Sequence, residues 1–252
     1  MSLLEARAVT KRFGEVVALD GLDLTVDEGE FVVLVGASGC GKSTLLNLFA
    51  GFERPSDGSV MLHGAEIDGI NPRCGMVFQD YALFPWLTVR GNIGFGPRLR
   101  GVLDEARVEA LIETVGIGGF GDHYPAQLSG GMKQRVALAR TLANDPEVLL
   151  CDEPFAALDA MTRTVLQEEL ARVAREESKT VLFITHSIDE ALLVGDRIVV
   201  MTARPGRVKQ ELVNDLPRPR TADLELTPRY LELKASIWEA VREEVIKSGR
   251  EG

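Results

Sequence analysis

The segment FVVLVGASGCGKSTLLNLFAG, from Phe31 to Gly51, contains three structural signals in succession. Its first five residues, Phe31–Val35, form an uninterrupted apolar run that is typical of a buried strand. Glycines recur in the residues that follow, and glycine tolerates the backbone conformations that a tight loop requires. The remainder, KSTLLNLFAG, indicates a helix that ends at Gly51. The segment therefore predicts a strand, a tight loop and a helix.

The loop GASGCGKS matches the phosphate-binding pattern G-x4-G-K-[ST], in the strand and helix context that this pattern requires. Its glycines let several N–H groups point at phosphate oxygens, and the helix that follows adds its positive dipole end. Lys42 is expected to reach the β- and γ-phosphates of ATP, and the Ser43 hydroxyl to bind Mg²⁺. The candidate nucleotide-binding residues of the loop are Gly36, Ala37, Ser38, Gly39, Cys40, Gly41, Lys42, Ser43 and Thr44.

A second apolar run, Val148–Cys151, is followed directly by two acidic residues. Because open α/β sheets bind ligands at the carboxyl ends of their strands, Asp152 is predicted to lie beside the phosphate loop and to hold Mg²⁺, directly or through water. Glu153 is then the predicted general base, which orients or deprotonates the attacking water. Alone, these residues could form an acidic turn, and the phosphate loop favours the catalytic interpretation.

The segment LSGGMKQR, Leu128–Arg135, predicts a helix whose first cap is Ser129. The exposed N–H groups and hydroxyl of Ser129, Gly130 and Gly131 suit a phosphate. A single chain would then have two phosphate-binding surfaces but only one loop that carries a lysine. Two chains that face each other head to tail resolve this, because each would close the ATP site of the other.

The bulk composition excludes several classes of protein. No apolar stretch in the 252 residues approaches the ~18–20 residues of a membrane span, and the first residues carry no signal-peptide pattern. A net charge of −10 argues against a nucleic-acid partner. The three cysteines form neither a CxxC pair nor a zinc spacing, which fits a reducing cytosol.

The order of predicted elements indicates four parts of the chain. After residue 146, strands alternate with helices, which is typical of a parallel sheet. Before that lies a mostly helical stretch, where Leu103–Gly116 predicts an amphipathic helix. A last helix is predicted from Pro228, with Trp238 as a packing residue. The predicted parts are 1–91, the first part of the core with an antiparallel β subdomain; 92–145, a helical subdomain; 146–205, the second part of the core; and 206–252, a tail.

These motifs, together with His186 directly after the apolar run VLFIT, resemble those of the ATP-binding subunits of ATP-binding cassette (ABC) transporters. The resemblance covers roughly residues 4–205. Leu83–Gly96, Cys151–Arg163 and the ending ARPGRV…LPRPR resemble the nitrate, sulfonate and taurine import ATPases. The family implies an α/β P-loop NTPase fold with a mainly parallel core sheet, an antiparallel β subdomain and a helical subdomain.

The resemblance also implies roles that the residues alone do not reveal. Phe13 matches the aromatic residue that stacks on adenine, and Gln79 the glutamine that senses Mg²⁺ and the γ-phosphate and relays to the membrane partner. Ala157–Asp159 matches the loop that couples the two sites of a dimer. His186 matches the histidine that contacts the γ-phosphate, and it joins Lys42 and Glu153 as a predicted catalytic residue.

An energy-coupling ATPase of an importer is therefore the expected function, with ATP and Mg²⁺ as cofactors and nitrate, a sulfonate, taurine or a related small solute as cargo. The implied partners are a second copy of the chain, a permease that spans the membrane and, indirectly, a solute-binding protein, at the cytoplasmic face of the inner membrane. The apolar cluster Tyr81–Trp86 could belong to a core, but its place just after Gln79 favours an exposed patch that docks a short permease helix.

Two other functions are less well supported by the sequence. A soluble ABC ATPase that acts on nucleic acid or ribosomes would usually carry two cassettes or long coiled-coil insertions, and this chain has one set of motifs and a net negative charge. A scaffold that binds nucleotide without hydrolysis conflicts with the presence of both Glu153 and His186. Ala156 and Met132 stand where relatives commonly have glycine and glutamine, which weakens any assignment of one solute.

Overall fold

The computed structural model describes residues 2–156 and 158–248, so Ala157 of the predicted coupling loop lies outside the described residues. Within them, ten strands form two sheets, and eight α-helices cover these sheets or lie between the strands. The strands are β1 Ser2–Phe13, β2 Val16–Asp27, β3 Phe31–Val35, β4 Asp57–Leu62, β5 Ala65–Glu66, β6 Cys74–Val77, β7 Val148–Asp152, β8 Thr180–Ile184, β9 Arg197–Met201 and β10 Val208–Val213. The helices are α1 Lys42–Ala50, α2 Val89–Ile93, α3 Phe95–Leu99, α4 Glu105–Thr114, α5 Gly130–Leu142, α6 Ala160–Glu176, α7 Ile188–Val194 and α8 Pro228–Ser248.

The larger sheet has the strand order β10-β9-β3-β8-β7-β6, and all its neighbours are parallel except β10, which runs antiparallel at one edge. All five residues of β3 are buried, as are all five of β8, because helices cover both faces of a parallel sheet. Val33 and Val35 enter one hydrophobic core, whereas Val32 and Leu34 enter the other. The predicted buried strand, loop and helix are thus confirmed.

The smaller sheet is antiparallel, with the order β2-β1-β4-β5. Along β2 the side chains of Leu22, Leu24 and Val26 are buried, and the residues between them are exposed. This alternation is expected for a strand with one face on a core and one in solvent. The buried face packs in one cluster with Leu45 and Phe49 of α1, so the sheet supports the helix that follows the phosphate loop.

Helices α2 to α5 lie between β6 and β7. The predicted amphipathic helix is α4, and Val108, Leu111 and Ile112 on its predicted apolar side are buried. The Ser129 hydroxyl caps α5 as predicted, because it accepts a hydrogen bond from the N–H of Met132 at 3.3 Å. How the chain divides into domains at residues 91, 145 and 205 stays a prediction.

The last helix, α8, packs one face against the core through Tyr230, Leu233 and Ile237. Lys209 of β10 ties it to the sheet, since its Nζ donates to Glu244 Oε1 at 2.8 Å. The prediction that Trp238 packs is wrong: its exposed fraction is 61%. Successive helix residues point about 100° apart, so the residue after Ile237 falls on the outer face.

Candidate active site

The phosphate loop leaves the carboxyl end of β3 and lies tightly against the start of β2. Gly41 has φ +95°, a left-handed conformation that favours glycine, and a Cβ added there would lie 2.8 Å from the carbonyl oxygen of Ala18. The loop encloses a cleft of about 300 Å³ that residues 38–44, Ala18 and Glu153 line. Seven of the nine predicted loop residues, 38–44, therefore line one open space at the edge of the sheet, and Gly36 and Ala37 do not.

Lys42 is the first residue of α1, and only 7% of it is exposed. Its Nζ donates to the carbonyl oxygens of Gly36 at 2.9 Å and Ala37 at 3.1 Å. Among the described residues, no carboxylate forms an ion pair with this ammonium group. Its charge acts on the carboxylate of Asp152 only from farther away, so the buried ammonium suits an anion that arrives in the cleft.

Ser43 and Asp152, both predicted to bind Mg²⁺, are in contact: the Ser43 hydroxyl donates to Asp152 Oδ1 at 3.1 Å. Burial raises the pKa of Asp152, and the neighbouring Glu153 raises it further, whereas the Ser43 hydrogen bond lowers it. A hydroxyl and a partly buried carboxylate are oxygen ligands of the kind that Mg²⁺ prefers, and a cation would favour the ionised form of this carboxylate. The residues present therefore fit the ion.

Gln79, the third predicted Mg²⁺ ligand, follows β6 by two residues and is exposed. Within the described part of the chain, its side chain makes no hydrogen bond to Ser43 or Asp152. Its neighbour Phe78 stacks on Phe52, which follows α1, with ring centroids 6.3 Å apart. The segment that carries Gln79 thus lies against the end of the phosphate-loop helix, and the metal contact stays a prediction.

Glu153 and His186 lie together where β7 and β8 end. The Nδ1 atom of His186 is 3.2 Å from Glu153 Oε2. Glu153 has φ +44°, and its N–H donates to the carbonyl oxygen of Ile184 at 3.2 Å. A left-handed conformation costs a residue with a side chain about 1–3 kcal/mol, and such residues concentrate at functional sites. The neighbouring strand thus fixes the backbone from which this carboxylate projects.

Two other groups of predicted residues lie apart from this constellation. Phe13 ends β1 and is 47% exposed, in the hairpin whose second strand carries Ala18 of the cleft. Ser129, Gly130 and Gly131 begin α5 and do not line the cleft as the structure describes it. One chain therefore brings Lys42, Ser43, Asp152, Glu153 and His186 to one edge of the sheet, and the start of α5 is not among the residues that line the cleft there.

The sequence analysis missed two arginines that touch this site. Arg204 lies in the turn between β9 and β10, and its Nε is 3.4 Å from the carbonyl oxygen of Gly39. Arg163 of α6 lines a small cavity together with Glu153 and His186. Neither has a local sequence signal, because residues distant along the chain bring each arginine to its place.

The fold and the loop at its edge define the class of the protein, an α/β P-loop nucleoside triphosphatase. The family model described as "ABC transporter" matches residues 19–156. An uncharacterized ABC transporter ATP-binding protein of Methanocaldococcus jannaschii is 50% identical over 97% of this chain and 93% of its own length. The chain belongs to the ABC transporter family and is an ATP-binding protein of that family.

Two relatives with named cargo agree with the predicted import group. The taurine import ATP-binding protein TauB of Jannaschia sp. is 48% identical over 84% of this chain and 82% of its own length. The bicarbonate transport ATP-binding protein CmpC of Synechococcus elongatus is 51% identical over 88% of this chain, which spans 35% of that longer protein.

Solved structures agree with the fold. The ATP-binding cassette MJ0796, solved as a dimer in a post-hydrolysis state with ADP and Pi, superposes with a TM-score of 0.74 at 33% identity. The match covers 85% of this chain and 100% of the MJ0796 chain. The cbiO1 protein of Clostridium perfringens, part of the cbiONQ complex, superposes with a TM-score of 0.79 at 28% identity. That match covers 94% of this chain and 99% of the cbiO1 chain. The protein is an ATP-hydrolysing cassette. No helix among the described residues is long and apolar enough to cross a membrane.

Proposed function

We propose that the protein is the ATP-hydrolysing subunit of an importer for a small solute of the nitrate, sulfonate, taurine or bicarbonate kind. The observation that carries the proposal is the convergence of Lys42, Ser43, Asp152 and Glu153 at one edge of the sheet, while the start of α5 lies apart from them. The names of the taurine and bicarbonate relatives support the direction of transport and the kind of solute.

In the proposed chemistry, each residue at the sheet edge has one task. Lys42 donates to two carbonyl oxygens and, at 3.5 Å, to the weak acceptor Cys40 Sγ, and it would exchange that weakest contact for the β- and γ-phosphates. Glu153 accepts a proton from the water that attacks the γ-phosphorus, and His186 holds Glu153 and contacts the γ-phosphate. Mg²⁺, bound by Ser43 and Asp152 with Gln79, would supply charge stabilisation to the transferred phosphoryl group.

The base of ATP and the rest of its phosphates need residues from elsewhere. Phe13 is exposed and offers its ring to the adenine, and Lys11 Nζ lies 5.0 Å from the centre of that ring. Ser129 and the glycines after it do not line the cleft of their own chain, so we assign them to the ATP of a second copy. Because α5 has 13 residues, its N-terminus carries the partial positive charge that attracts phosphate.

The permease is proposed to dock beside the aromatic segment after Gln79. Trp86 is 69% exposed, and Phe84 packs between Trp86 and Phe95 with ring centroids 5.6 Å and 4.4 Å away. Phe84, Phe95 and Arg140 line a groove of about 330 Å³ there. An exposed apolar patch beside a groove suits a short helix of a partner. This docking would hold the protein at the cytoplasmic face of the membrane.

Reconstitution with the permease and the solute-binding protein tests the proposed function. We expect taurine, an alkanesulfonate, nitrate or bicarbonate to accelerate phosphate release by the complete complex in liposomes. Trp86→Ala should weaken capture of the permease and remove the acceleration, while the basal ATPase rate of the isolated subunit stays unchanged. Val213→Ala, an exposed apolar residue on β10, serves as the matched control. A subunit that binds no permease and responds to no solute would instead be an ABC ATPase not coupled to transport.

Mixing two inactive variants tests the composite site. Lys42→Ala removes the cation of the phosphate loop, and Ser129→Arg places a bulky cation at the start of α5. In a mixed dimer with two-fold symmetry, one site combines an intact loop with an intact α5. We therefore expect ATPase activity to return when the two variants are mixed. Mixtures that stay as inactive as either parent would contradict the contribution of Ser129 across the dimer.

A further inference from the structure

A second cavity, of about 190 Å³, lies away from the ATP site between helix α6, the end of α7 and residues 218–221. Four of its lining residues are arginines, in a chain whose net charge is −10. One carboxylate, that of Glu168, shares the lining with them. The arginines are Arg172 and Arg175 on α6, and Arg218 and Arg220 in the LPRPR segment that precedes α8.

Two of the four arginines have carboxylate partners. Arg172 pairs with Glu176 at 2.6 Å, and Arg218 pairs with Asp196. Arg175 and Arg220 form no ion pair with any residue that the structure describes. Two of the guanidinium groups that line the cavity therefore have no direct carboxylate partner, and the charge of Asp196 acts on both from farther away.

Arg220 is buried, and only 7% of its surface is exposed. Its guanidinium donates to the carbonyl oxygens of Leu216 at 3.3 Å, Gly195 at 2.5 Å and Asn214 at 2.9 Å. These acceptors are neutral, so they orient the group without forming an ion pair with it, while Asp196 and Asp215 act on its charge from farther away. Burial lowers the pKa of Arg220 to about 10, and the charge of Arg218 contributes in the same direction.

The helix C-terminus explains only part of the cluster. Arg172 and Arg175 lie in the last two turns of α6, where cations interact favourably with the helix dipole. Burial nevertheless lowers the pKa of Arg175, and repulsion from Arg218 lowers it further. Arg220 belongs to no helix, so the dipole does not account for it. Arg220 is buried, whereas Arg172, Arg175 and Arg218 are exposed, and an anion that contacts several of them would relieve the repulsion among their charges.

We propose that this cavity binds a small oxyanion of the phosphate type. Guanidinium groups match the geometry of phosphate oxygens and donate two parallel hydrogen bonds to them. The hydroxyl of Thr221, which also lines the cavity, is a further donor. The volume is below the ~300–1,000 Å³ of pockets that hold drug-sized ligands, which favours a small ion over a nucleotide.

The site is distinct from the phosphate loop. Helix α6 has 17 residues, and its first residue follows Asp159 of the coupling loop. Its length is therefore about 25 Å, and Arg175 is near the end that is farther from the ATP site. Bound phosphate would join the tail to α6, which begins beside the ATP site, and to α7, which begins directly after His186 and Ser187.

Calorimetric titration with sodium phosphate tests the proposal, with saturating MgADP in the nucleotide site and ionic strength held constant with NaCl. We expect wild type to bind one additional phosphate per chain. Arg175→Gln should weaken this binding by about tenfold or more, because a charge-assisted hydrogen bond is worth about 1.5–3 kcal/mol and each 1.4 kcal/mol is a tenfold change. Arg242→Gln, which removes an exposed arginine of α8, should bind phosphate like wild type.

Folding of the variant is checked separately, so that a loss of binding has one meaning. Arg175 makes no side-chain hydrogen bond to the described residues, and its removal relieves repulsion, so Arg175→Gln should melt at or above the wild-type temperature in phosphate-free buffer. Phosphate should then raise the melting temperature of wild type more than chloride does at equal ionic strength, and this excess should disappear in Arg175→Gln. No additional phosphate in wild type, or equal binding in Arg175→Gln, would overturn the proposal.

Discussion

Two helices of this protein begin at glycine-containing turns, and their surroundings differ. Helix α1 starts at Lys42, where a buried ammonium, a hydroxyl that contacts Asp152, and Glu153 surround one cleft. Helix α5 starts after Ser129, whose hydroxyl is occupied as a cap for the N–H of Met132. Both N-termini offer N–H groups to a phosphate, but only the first has a cation and carboxylates placed around it.

The difference supports the proposal that α1 belongs to a site that one chain assembles, and that α5 contributes to the site of a second copy. The strands β3 and β7 end at the same sheet edge, which delivers the loop and Asp152 together. At α5 a Cβ added to Gly130 would instead lie 3.0 Å from the hydroxyl of Tyr81, and one added to Gly131 would lie 2.6 Å from the Thr162 side chain. The contrast predicts that changes near α1 alter nucleotide binding or chemistry in every molecule, whereas changes at Ser129 act only between molecules.

The largest effect is expected at Glu153. In Glu153→Gln the carboxylate that accepts the proton is lost, so turnover should fall by about 10²–10⁴-fold, the usual contribution of a general base. ATP affinity should change little, because Lys42 and the loop are intact. Phosphate release in single-turnover assays gives the rate, and size-exclusion chromatography with ATP tests for a trapped dimer.

Glu177, which follows α6, supplies the control for this prediction. Glu177→Gln also neutralises a carboxylate, but its partner is Arg107 at 2.7 Å and it does not line the cleft. Turnover in this control should match wild type. Glu153→Gln that hydrolyses ATP at the wild-type rate would remove Glu153 from its role as base.

A smaller effect is expected when the cation of the loop is removed. Lys42→Ala should weaken ATP binding by about 10–100-fold, since hydrogen bonds to charged groups contribute about 1.5–3 kcal/mol. Lys133→Ala, four residues after the cap of α5, should leave the affinity of dilute protein for ATP unchanged. Calorimetric titration with ATP measures both, and equal losses in the two variants would remove the distinction between the two helix starts.

The smallest effect concerns the stability of the nucleotide-free protein. Burial raises the pKa of Asp152, so the folded protein binds the proton of this carboxyl more tightly than the unfolded chain does. The ionised carboxylate is therefore destabilising above the folded-state pKa, and the penalty disappears as the pH falls below it. Asp152→Asn should raise Tm at neutral pH by up to about 2 °C, and the gain should shrink at acid pH.

The pKa of Asp145 is shifted in the opposite direction, mainly by its hydrogen bond with Lys179, which makes it the control for this prediction. Asp145→Asn should lower Tm slightly at neutral pH, and the loss should fade as the pH falls. Differential scanning calorimetry at several pH values measures both variants. A gain in Asp152→Asn that does not depend on pH would contradict the assignment to ionisation.

The sequence predicted the parts of the fold that short segments determine. The segment Phe31–Gly51 predicted a strand, a loop and a helix, because its apolar runs and glycines are local signals. The buried side of α4 was predicted from its helical periodicity. The prediction that Trp238 packs was wrong. Periodicity predicts an amphipathic helix, but it does not determine which residues at the border of the buried face touch the core.

The sequence predicted less where distant segments meet. Arg204 reaches the phosphate loop only because the turn between β9 and β10 folds back on β2, where the Gly206 N–H donates to the carbonyl oxygen of Ala18 at 2.9 Å. The contact between Ser43 and Asp152 was predictable, because the general rule for strand ends places both at one edge. No comparable rule brings the arginines of α6 to the LPRPR segment, so that cavity required the structure.

The separation of Ser129 from its own phosphate loop has a consequence for the cell. If each active centre needs Ser129 of one copy and the phosphate loop of another, newly made copies hydrolyse no ATP until two of them associate. ATP is then not consumed while the rest of the transporter is still being assembled. Control over where and when two copies come together would then regulate nutrient uptake, without any change in the amount of ATP available.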